Sequence, residues 1–91
     1  MPVVETNVVI LNRVGLHARP ARLLVQAAAK FQSRIQLQKD EKTANARSFI
    51  NVLKLGVASG DTLHIHAEGD DAEEAVRTLT GLIHRKFDEE E

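Results

Sequence analysis

The stretch Gly15-Leu16-His17-Ala18-Arg19-Pro20-Ala21 lies where an apolar, strand-like run ends and an amphipathic helical pattern begins. Pro20 is typical of the first turn of a helix, because its missing N–H would have no partner within the helix at that position. The pattern therefore predicts that His17 lies at or just before the N-terminus of a helix. Backbone N–H groups without helical partners and the positive end of the helix dipole collect at that point.

The same stretch combines three features that suit a phosphorylated histidine. The helix dipole disfavours an imidazolium ion, so we expect the ring of His17 to stay neutral. A phosphoryl group on that ring would lie where helix N-termini bind anions. Arg19 adds a planar guanidinium group, which suits phosphate oxygens. We therefore expect reversible phosphorylation of His17, although a lone histidine is more often an ordinary loop residue or helix cap.

The stretch from Gly15 to Ala21 resembles the active-site signature of the HPr family, the histidine-containing phosphocarriers of the bacterial sugar phosphotransferase system. A second stretch, Lys42-Thr43-Ala44-Asn45-Ala46-Arg47-Ser48, resembles the segment that carries the regulatory serine of that family. The similarity runs from about Val3 to Phe87. It implies that Nδ1 of His17 accepts a phosphoryl group from phosphorylated enzyme I and passes it to the A-domain of a sugar-specific enzyme II. It also implies that Arg19 stabilises the transferring group.

Ser48 has two interpretations. It is a favoured N-cap residue for the short helix that it opens, since its hydroxyl accepts a hydrogen bond from a backbone N–H. The resemblance implies in addition that, in some lineages, an HPr kinase/phosphorylase phosphorylates this serine. A regulatory role through a transcriptional regulator would then follow.

The short helix after Ser48 is expected to carry more apolar residues than it can bury. About two helical turns can direct only one stripe inward, and Val52 and Leu55 are spaced to occupy it. A contiguous apolar surface marks an interaction site. We therefore expect an exposed docking patch near His17, formed by Phe49, Ile50 and Leu53.

The composition restricts the classes of protein and site that the chain can form. Its 91 residues suffice for one small domain, expected over residues 1–91, and 43% of them are hydrophobic. The absence of cysteine excludes disulfides and thiolate chemistry, and fits the cytoplasm. A net charge of −1 and an aromatic content of 3% disfavour binding to nucleic acid or a membrane surface. We also expect no secretory signal, no membrane-spanning segment, no cofactor and a monomer.

The remaining patterns predict an α+β fold. Strands are expected at Val3–Leu11, Ser33–Lys39, Lys42–Asn45 and Thr62–Glu68, and helices at Ala18–Lys30, Ser48–Lys54 and around Ala72–Ile83. The order β-α-β-β-α-β-α, with a hairpin between the second and third strands, indicates a four-stranded, mostly antiparallel sheet. Because the strands alternate apolar and polar residues, three helices should cover one face and leave the other in water. This open-faced β-sandwich is also the fold that the resemblance implies.

The ends of the last helix are marked in the sequence as well. Asp70 and Glu73 have the spacing of a capping box, which would begin the helix. The acidic residues 88–91 are expected to form a solvated, frayed tail.

Three alternative functions share some of these features. A purely regulatory HPr-like protein would act through Ser48 and lack the active-site histidine, whereas His17 is present. A phosphocarrier of a nitrogen-related regulatory branch would carry the same motif. A metal-binding protein would use His64 and His66, which share a strand face with Glu68. Solvated side chains on an open sheet are the more ordinary interpretation of these two histidines, and we expect no metal.

Overall fold

The computed structural model describes residues 1–88 and contains the strands and helices in the predicted order. The strands are β1 (Val3–Val9), β2 (Arg34–Lys39), β3 (Lys42–Asn45) and β4 (Thr62–Glu68). The helices are α1 (Ala18–Ala28), α2 (Phe49–Lys54) and α3 (Ala72–His84), and a 3₁₀ turn at Lys86–Asp88 follows α3. The α+β assignment is therefore confirmed. Within residues 1–88, none of the helices has the length and apolar character needed to cross a membrane.

The strands form one antiparallel sheet in the spatial order β1-β4-β2-β3. One row of cross-strand neighbours runs over all four strands on the inner face: Thr6, Ile65, Leu37 and Ala44. The adjacent row lies on the opposite face: Asn7, His64, Gln38 and Thr43. Because successive side chains of a strand point to opposite faces, the inner row is apolar at three of its positions and the outer row is polar throughout. The sheet is thus open on one side, as predicted.

The helices bury their apolar stripes against the inner face of the sheet. The buried residues of α1 and α3 recur at helical spacing: Ala21, Leu24 and Ala28 on α1, and Ala75, Val76, Leu79, Leu82 and Ile83 on α3. Burying a large apolar side chain contributes about 1.5–3 kcal/mol relative to leaving it in water. With no disulfide, this single cluster holds the three helices on the sheet.

The 3₁₀ turn after α3 completes the core and was not predicted from the sequence. Lys86, Phe87 and Asp88 all have positive φ, between 55° and 59°, and the Phe87 ring is fully buried. Asp88, expected in a frayed tail, belongs to this turn, and its backbone N–H donates to the carbonyl of Arg85 at 2.9 Å. The rest of the acidic tail, residues 89–91, lies outside the described residues.

The start of α3 also differs from the prediction. Its N-cap residue is Asp71 rather than Asp70, and the Asp71 side chain does not cap the helix. The carboxylate instead accepts hydrogen bonds from the backbone N–H groups of Gln32 and Ser33, at 2.9 Å each, and from the Ser33 hydroxyl. The Ser33 hydroxyl, followed by the Gln32 amide, lowers the pKa of Asp71. Asp71 therefore connects the start of α3 to the entry of β2, a contact that local spacing does not reveal.

Candidate functional site

His17 is the N-cap residue of α1, as the sequence predicts. Its backbone is extended, with φ −75° and ψ −173°, and its carbonyl accepts a helical hydrogen bond from the N–H of Ala21 at 2.9 Å. The imidazole is exposed and makes no capping hydrogen bond to α1. The helix therefore leaves the ring nitrogens available for chemistry.

The first turn of α1 places two backbone amides beside this ring. The first N–H groups of an α-helix have no intrahelical acceptor. Pro20 lies in this turn and has no N–H, so Ala18 and Arg19 supply the amides that precede the hydrogen-bonded amide of Ala21. This turn contains no acidic residue, so no carboxylate within it opposes an anion at the positive end of the helix dipole.

The loop before α1 is held in place by close backbone contacts. Nδ2 of the buried Asn12 donates to the carbonyl of Gly15 at 2.7 Å, and the N–H of Leu16 donates to the carbonyl of Val57 at 3.0 Å. Gly15 has a left-handed φ of +66°, and a Cβ at this position would lie 2.5 Å from the carbonyl oxygen of Val57. Only glycine accommodates both the conformation and the close approach. These contacts fix the backbone just before His17.

His17 lines an open depression of about 670 Å³. The other lining residues come from its own loop, from α2 and from the segment that follows α2: Arg13, Val14, Leu16, Ala18, Leu53 and residues 56–59. Leu53 belongs to α2, so the depression connects His17 to the helix that Ser48 begins. Arg13 brings a guanidinium group to the depression, whereas Arg19 is not among its lining residues. Arg13 was not predicted as a site residue, although its position in the His17 loop would have indicated it.

Arg19 extends away from the His17 loop towards the end of α3. Its Nη1 donates to the carbonyl of Phe87 at 3.4 Å, which is long for a hydrogen bond and therefore weak. The structure thus brings Arg19 and His17 to the same helical turn, with the guanidinium group of Arg19 directed towards Phe87. Its contact with phosphate stays a prediction.

The predicted apolar patch on α2 is only partly exposed. Ile50 is 57% exposed, whereas Phe49 and Leu53 are half-buried and pack against the core. The cause is the packing of α2 against α1, where the guanidinium carbon of Arg22 lies 5.8 Å from the centre of the Phe49 ring. The expected exposure is therefore confirmed for Ile50 and wrong for Phe49 and Leu53, and docking by these residues stays a prediction.

Ser48 is the N-cap of α2, which confirms the first of its two interpretations. Its half-buried hydroxyl accepts a hydrogen bond from the N–H of Asn51 at 3.4 Å. The neighbouring Arg47 is directed elsewhere, since its guanidinium group donates to the carbonyls of Phe31 and Ser33. Phosphorylation of Ser48 stays a prediction.

Two histidines on the open face of the sheet flank one carboxylate. Nε2 of His64 lies 2.9 Å, and Nδ1 of His66 lies 3.1 Å, from Oε1 of Glu5. These contacts, that with His66 first, lower the pKa of the Glu5 carboxyl. Glu68 shares a strand face with the two histidines, but the carboxylate that they contact is Glu5 on the neighbouring strand. Among the residues that the structure describes, no group of three or more His, Cys, Asp or Glu side chains could hold a metal ion.

Comparisons with known proteins place the whole fold and the His17 motif in one family. The PTS-HPr family model, the PTS HPr component phosphorylation site, matches residues 4–85. The phosphocarrier protein HPr of Treponema pallidum is 43% identical over 87 residues, which cover 96% of this chain and 99% of the relative. The HPr-like protein Crh of Halalkalibacterium halodurans is 40% identical over 83 residues, covering 91% and 99%. The crystal structure of HPr-C-His from Thermoanaerobacter tengcongensis superimposes with a TM-score of 0.93 at 49% identity, covering 97% and 99%. The chain therefore belongs to the HPr family of phosphocarriers of the phosphotransferase system.

Proposed function

We propose that this chain accepts a phosphoryl group on His17 from phosphorylated enzyme I and passes it to the A-domain of a sugar-specific enzyme II. Family membership establishes the coarser statement, a phosphocarrier component of the phosphotransferase system. The observation that supports the finer one is the exposed imidazole at the N-cap of α1, which makes no capping hydrogen bond. On this proposal the chain is a transiently phosphorylated carrier, not an enzyme that turns over a substrate alone.

The transfer exchanges one bond to phosphorus for another. The lone pair of an imidazole nitrogen of His17, Nδ1 by family resemblance, forms a P–N bond. The bond between phosphorus and the donor breaks at the same time, and its electrons leave with the donor. Transfer to the acceptor repeats the exchange and regenerates the ring. Catalysis of phosphoryl transfer consists mainly of positioning and charge stabilisation. On this proposal, the amides of Ala18 and Arg19 and the Arg19 guanidinium group supply both, the guanidinium group turning from the carbonyl of Phe87 to the phosphoryl group.

The experiment is phosphorylation with phosphoenolpyruvate and a cognate enzyme I. We expect one phosphoryl group per chain in a phosphoramidate bond, labile in acid and stable in base. His17→Gln should abolish the label, whereas the control His84→Gln, which changes an exposed histidine at the end of α3, should keep it. A label that survives acid, or one that persists in His17→Gln, would contradict the assignment.

The surface of α2 is the proposed docking site for enzyme I and for the A-domain of enzyme II. Leu53 lines the same depression as His17, and Ile50 beside it is 57% exposed. Ile50→Ala should weaken binding to enzyme I without loss of stability, because its side chain contributes little to the core. The matched control is Val3→Ala, which shortens a 51% exposed apolar side chain on β1. Equal affinities of the two variants for enzyme I would remove α2 from the docking surface.

Regulation through Ser48 is the second candidate function, and it is supported by the resemblance of residues 42–48 to the segment that carries the regulatory serine of the family. A phosphoryl group on Ser48 would add nearly two negative charges one residue from Phe49 and two from Ile50. Ser48→Asp should therefore weaken binding to an acidic surface of enzyme I, while Ser48→Ala, which loses only the cap, should cost about 0.5–2 kcal/mol of stability and bind normally. Normal binding by Ser48→Asp would leave the serine with its capping role.

We further propose an oligomeric state, a location and additional partners for this chain. The chain acts as a single-domain monomer over residues 1–91, in the cytoplasm, without cofactor or metal, and without nucleic acid or membrane as a partner. Where Ser48 is phosphorylated, its further partners are an HPr kinase/phosphorylase and a transcriptional regulator. A nitrogen-related regulatory branch uses the same His17 chemistry with a different acceptor, so phosphoryl transfer to an A-domain of a sugar-specific enzyme II is the measurement that separates the two.

A further inference from the structure

The segment of residues 56–61, which connects α2 to β4 and is here named the opposing loop, forms one wall of the His17 depression. The carbonyl of Val57 accepts the hydrogen bond from the N–H of Leu16 at 3.0 Å. A Cβ on Gly15 would lie 2.5 Å from the Val57 oxygen and 2.9 Å from Cα of Ala58. The loop that carries His17 therefore packs directly against the backbone of the opposing loop. The position of the His17 loop depends on the position of that backbone.

Lys39, the last residue of β2, holds both ends of the opposing loop. Its Nζ donates to the carbonyl of Gly56 at 2.8 Å and lies 3.0 Å from Oδ2 of Asp61. The same Oδ2 accepts a hydrogen bond from the N–H of Ala58 at 2.8 Å. The Ala58 amide, followed by Lys39, lowers the pKa of the Asp61 carboxyl, as expected for a carboxylate that is bound in its ionised form. The Lys39 and Asp61 side chains are 24% and 33% exposed, so water screens their attraction only in part.

The end of the opposing loop has a second anchor that does not involve Lys39. The N–H of Ile10 donates to the carbonyl of Asp61 at 2.9 Å, and the N–H of Gly60 donates to the carbonyl of Ile10 at 2.8 Å. These bonds continue the pairing of β1 with β4 and involve the fully buried Ile10. Loss of the Lys39 contacts should therefore loosen the middle of the opposing loop, at Val57 and Ala58, and leave the sheet paired.

We propose that Lys39 and Asp61 are positioning residues for phosphoryl transfer at His17, acting through the opposing loop. Neither side chain lines the depression, so neither contacts the transferring group in this arrangement. The inference rests on the proposed phosphocarrier function. Because phosphoryl transfer depends on the alignment of the attacking nitrogen with phosphorus, a displacement of about 1 Å by a distant substitution lowers the rate by up to about a hundredfold.

The test measures phosphorylation by phosphoenolpyruvate and enzyme I as a function of the concentration of the full-length chain. Lys39→Met removes the charge and the donors with little change in side-chain length, and Lys39→Arg keeps both. The control Lys42→Met makes the same change of net charge at the residue that faces Lys39 across the β2–β3 hairpin. We expect Lys39→Met to lower kcat about tenfold with KM within about twofold, because alignment rather than encounter is disturbed. Lys39→Arg should restore most of the rate, and Lys42→Met should match the wild type.

Amide hydrogen exchange at Leu16 supplies a readout that does not depend on enzyme I. In Lys39→Met the Leu16 amide should exchange at least about fivefold faster than in Lys42→Met, while amides in the centre of β4 stay protected. Asp61→Asn, which keeps an acceptor for the Ala58 amide and loses the charge that attracts Lys39, should show smaller changes in the same direction.

The results of these measurements distinguish a positioning role of Lys39 from global instability and from failure of the proposed phosphocarrier function. An unchanged kcat in Lys39→Met, or an equal loss in Lys42→Met, would overturn the positioning role while the labelled wild type upheld the phosphocarrier function. A loss of rate with protection reduced throughout the sheet would also overturn it, because the effect would then be global instability. Absence of label on the wild type would instead contradict the proposed function itself, and the inference with it.

Discussion

Replacing Gly15 with alanine should destabilise the protein far more than the same replacement at Gly56. The two residues have nearly equal left-handed φ values, +66° and +65°, so alanine introduces the same backbone strain at both sites, about 1–2 kcal/mol. Their surroundings differ. A Cβ on Gly56 would meet no atom within 4 Å, whereas a Cβ on Gly15 would lie 2.5 Å from the carbonyl oxygen of Val57 and 2.9 Å from Cα of Ala58. Because both atoms are backbone, no side-chain rotation relieves the contact.

The extra cost at Gly15 follows from what has to move. Relief of the contact separates the two loops and opens the Leu16–Val57 hydrogen bond of 3.0 Å, whose net loss costs about 0.5–1.5 kcal/mol. Overpacking of a close contact adds about 1–3 kcal/mol. We expect totals of about 1–2 kcal/mol for Gly56→Ala and about 3–5 kcal/mol for Gly15→Ala. For a domain of this size, a difference of about 2–3 kcal/mol corresponds to a gap of roughly 8–24 °C in Tm.

Urea unfolding followed by circular dichroism measures both free energies, and equal m-values would show that the unfolded states are comparable. The phosphorylation assay with enzyme I should also show slower transfer to Gly15→Ala under conditions where it is fully folded. If the two variants lost the same free energy of unfolding, the close approach of Gly15 to Val57 would not constrain the loop. The opposing loop would then not determine the position of His17.

Three further predictions concern the charged groups. Arg19→Ala should slow phosphoryl transfer in both directions by about 2–4 kcal/mol of barrier, with little loss of stability because Arg19 is an exposed residue of the first turn of α1; equal transfer rates would make Arg19 a surface cation only. The pKa of Glu5 is lowered in the folded chain, so its contribution to stability is present above the ordinary value of 4.5 and is lost as pH falls through the folded value. Glu5→Gln should therefore flatten the acid side of the stability curve in urea titrations, and parallel curves for the two proteins would contradict the linkage to His64 and His66. A chelator should leave both Tm and phosphoryl transfer unaltered, and a fall in either would revive a metal site at these histidines.

The elements of the fold could be predicted because each depends on a local period. The alternation of Ile35 and Leu37 with Gln36 and Gln38 predicts β2 and its buried face, and the structure confirms both. The spatial order β1-β4-β2-β3 has no such local signal, since it depends on which strands pair across the whole chain. The 3₁₀ turn at Lys86–Asp88 was missed for a related reason. Its three positive φ values occur without a glycine or asparagine, so no residue type signals the turn. Burial of the Phe87 side chain in the core offsets the backbone strain of this conformation.

The position of His17 could likewise be predicted from the sequence, whereas the residues that surround it could not. The N-cap position of His17 follows from Pro20 and the apolar spacing after it, which are neighbours in the chain. The atoms that fix or contact the site belong to distant segments, as Val57 does beneath Gly15 and Phe87 does beside Arg19. Spacing rules describe one element at a time, so they cannot report contacts of this kind.

Because α2 is partly buried, some of its side chains contribute to stability while others are exposed to water. Phe49 packs on the core and against Arg22, so Phe49→Ala would alter stability and surface together, whereas Ile50 presents its side chain mainly to water. Leu53, in the same helix, forms part of the His17 depression, and the chain passes from it directly into the opposing loop. The capping Ser48, the exposed Ile50 and the wall beneath the His17 loop therefore lie on one continuous segment, residues 48–61. Ser48 is therefore connected to the loop that carries His17 through α2, the opposing loop and the hydrogen bond between Leu16 and Val57.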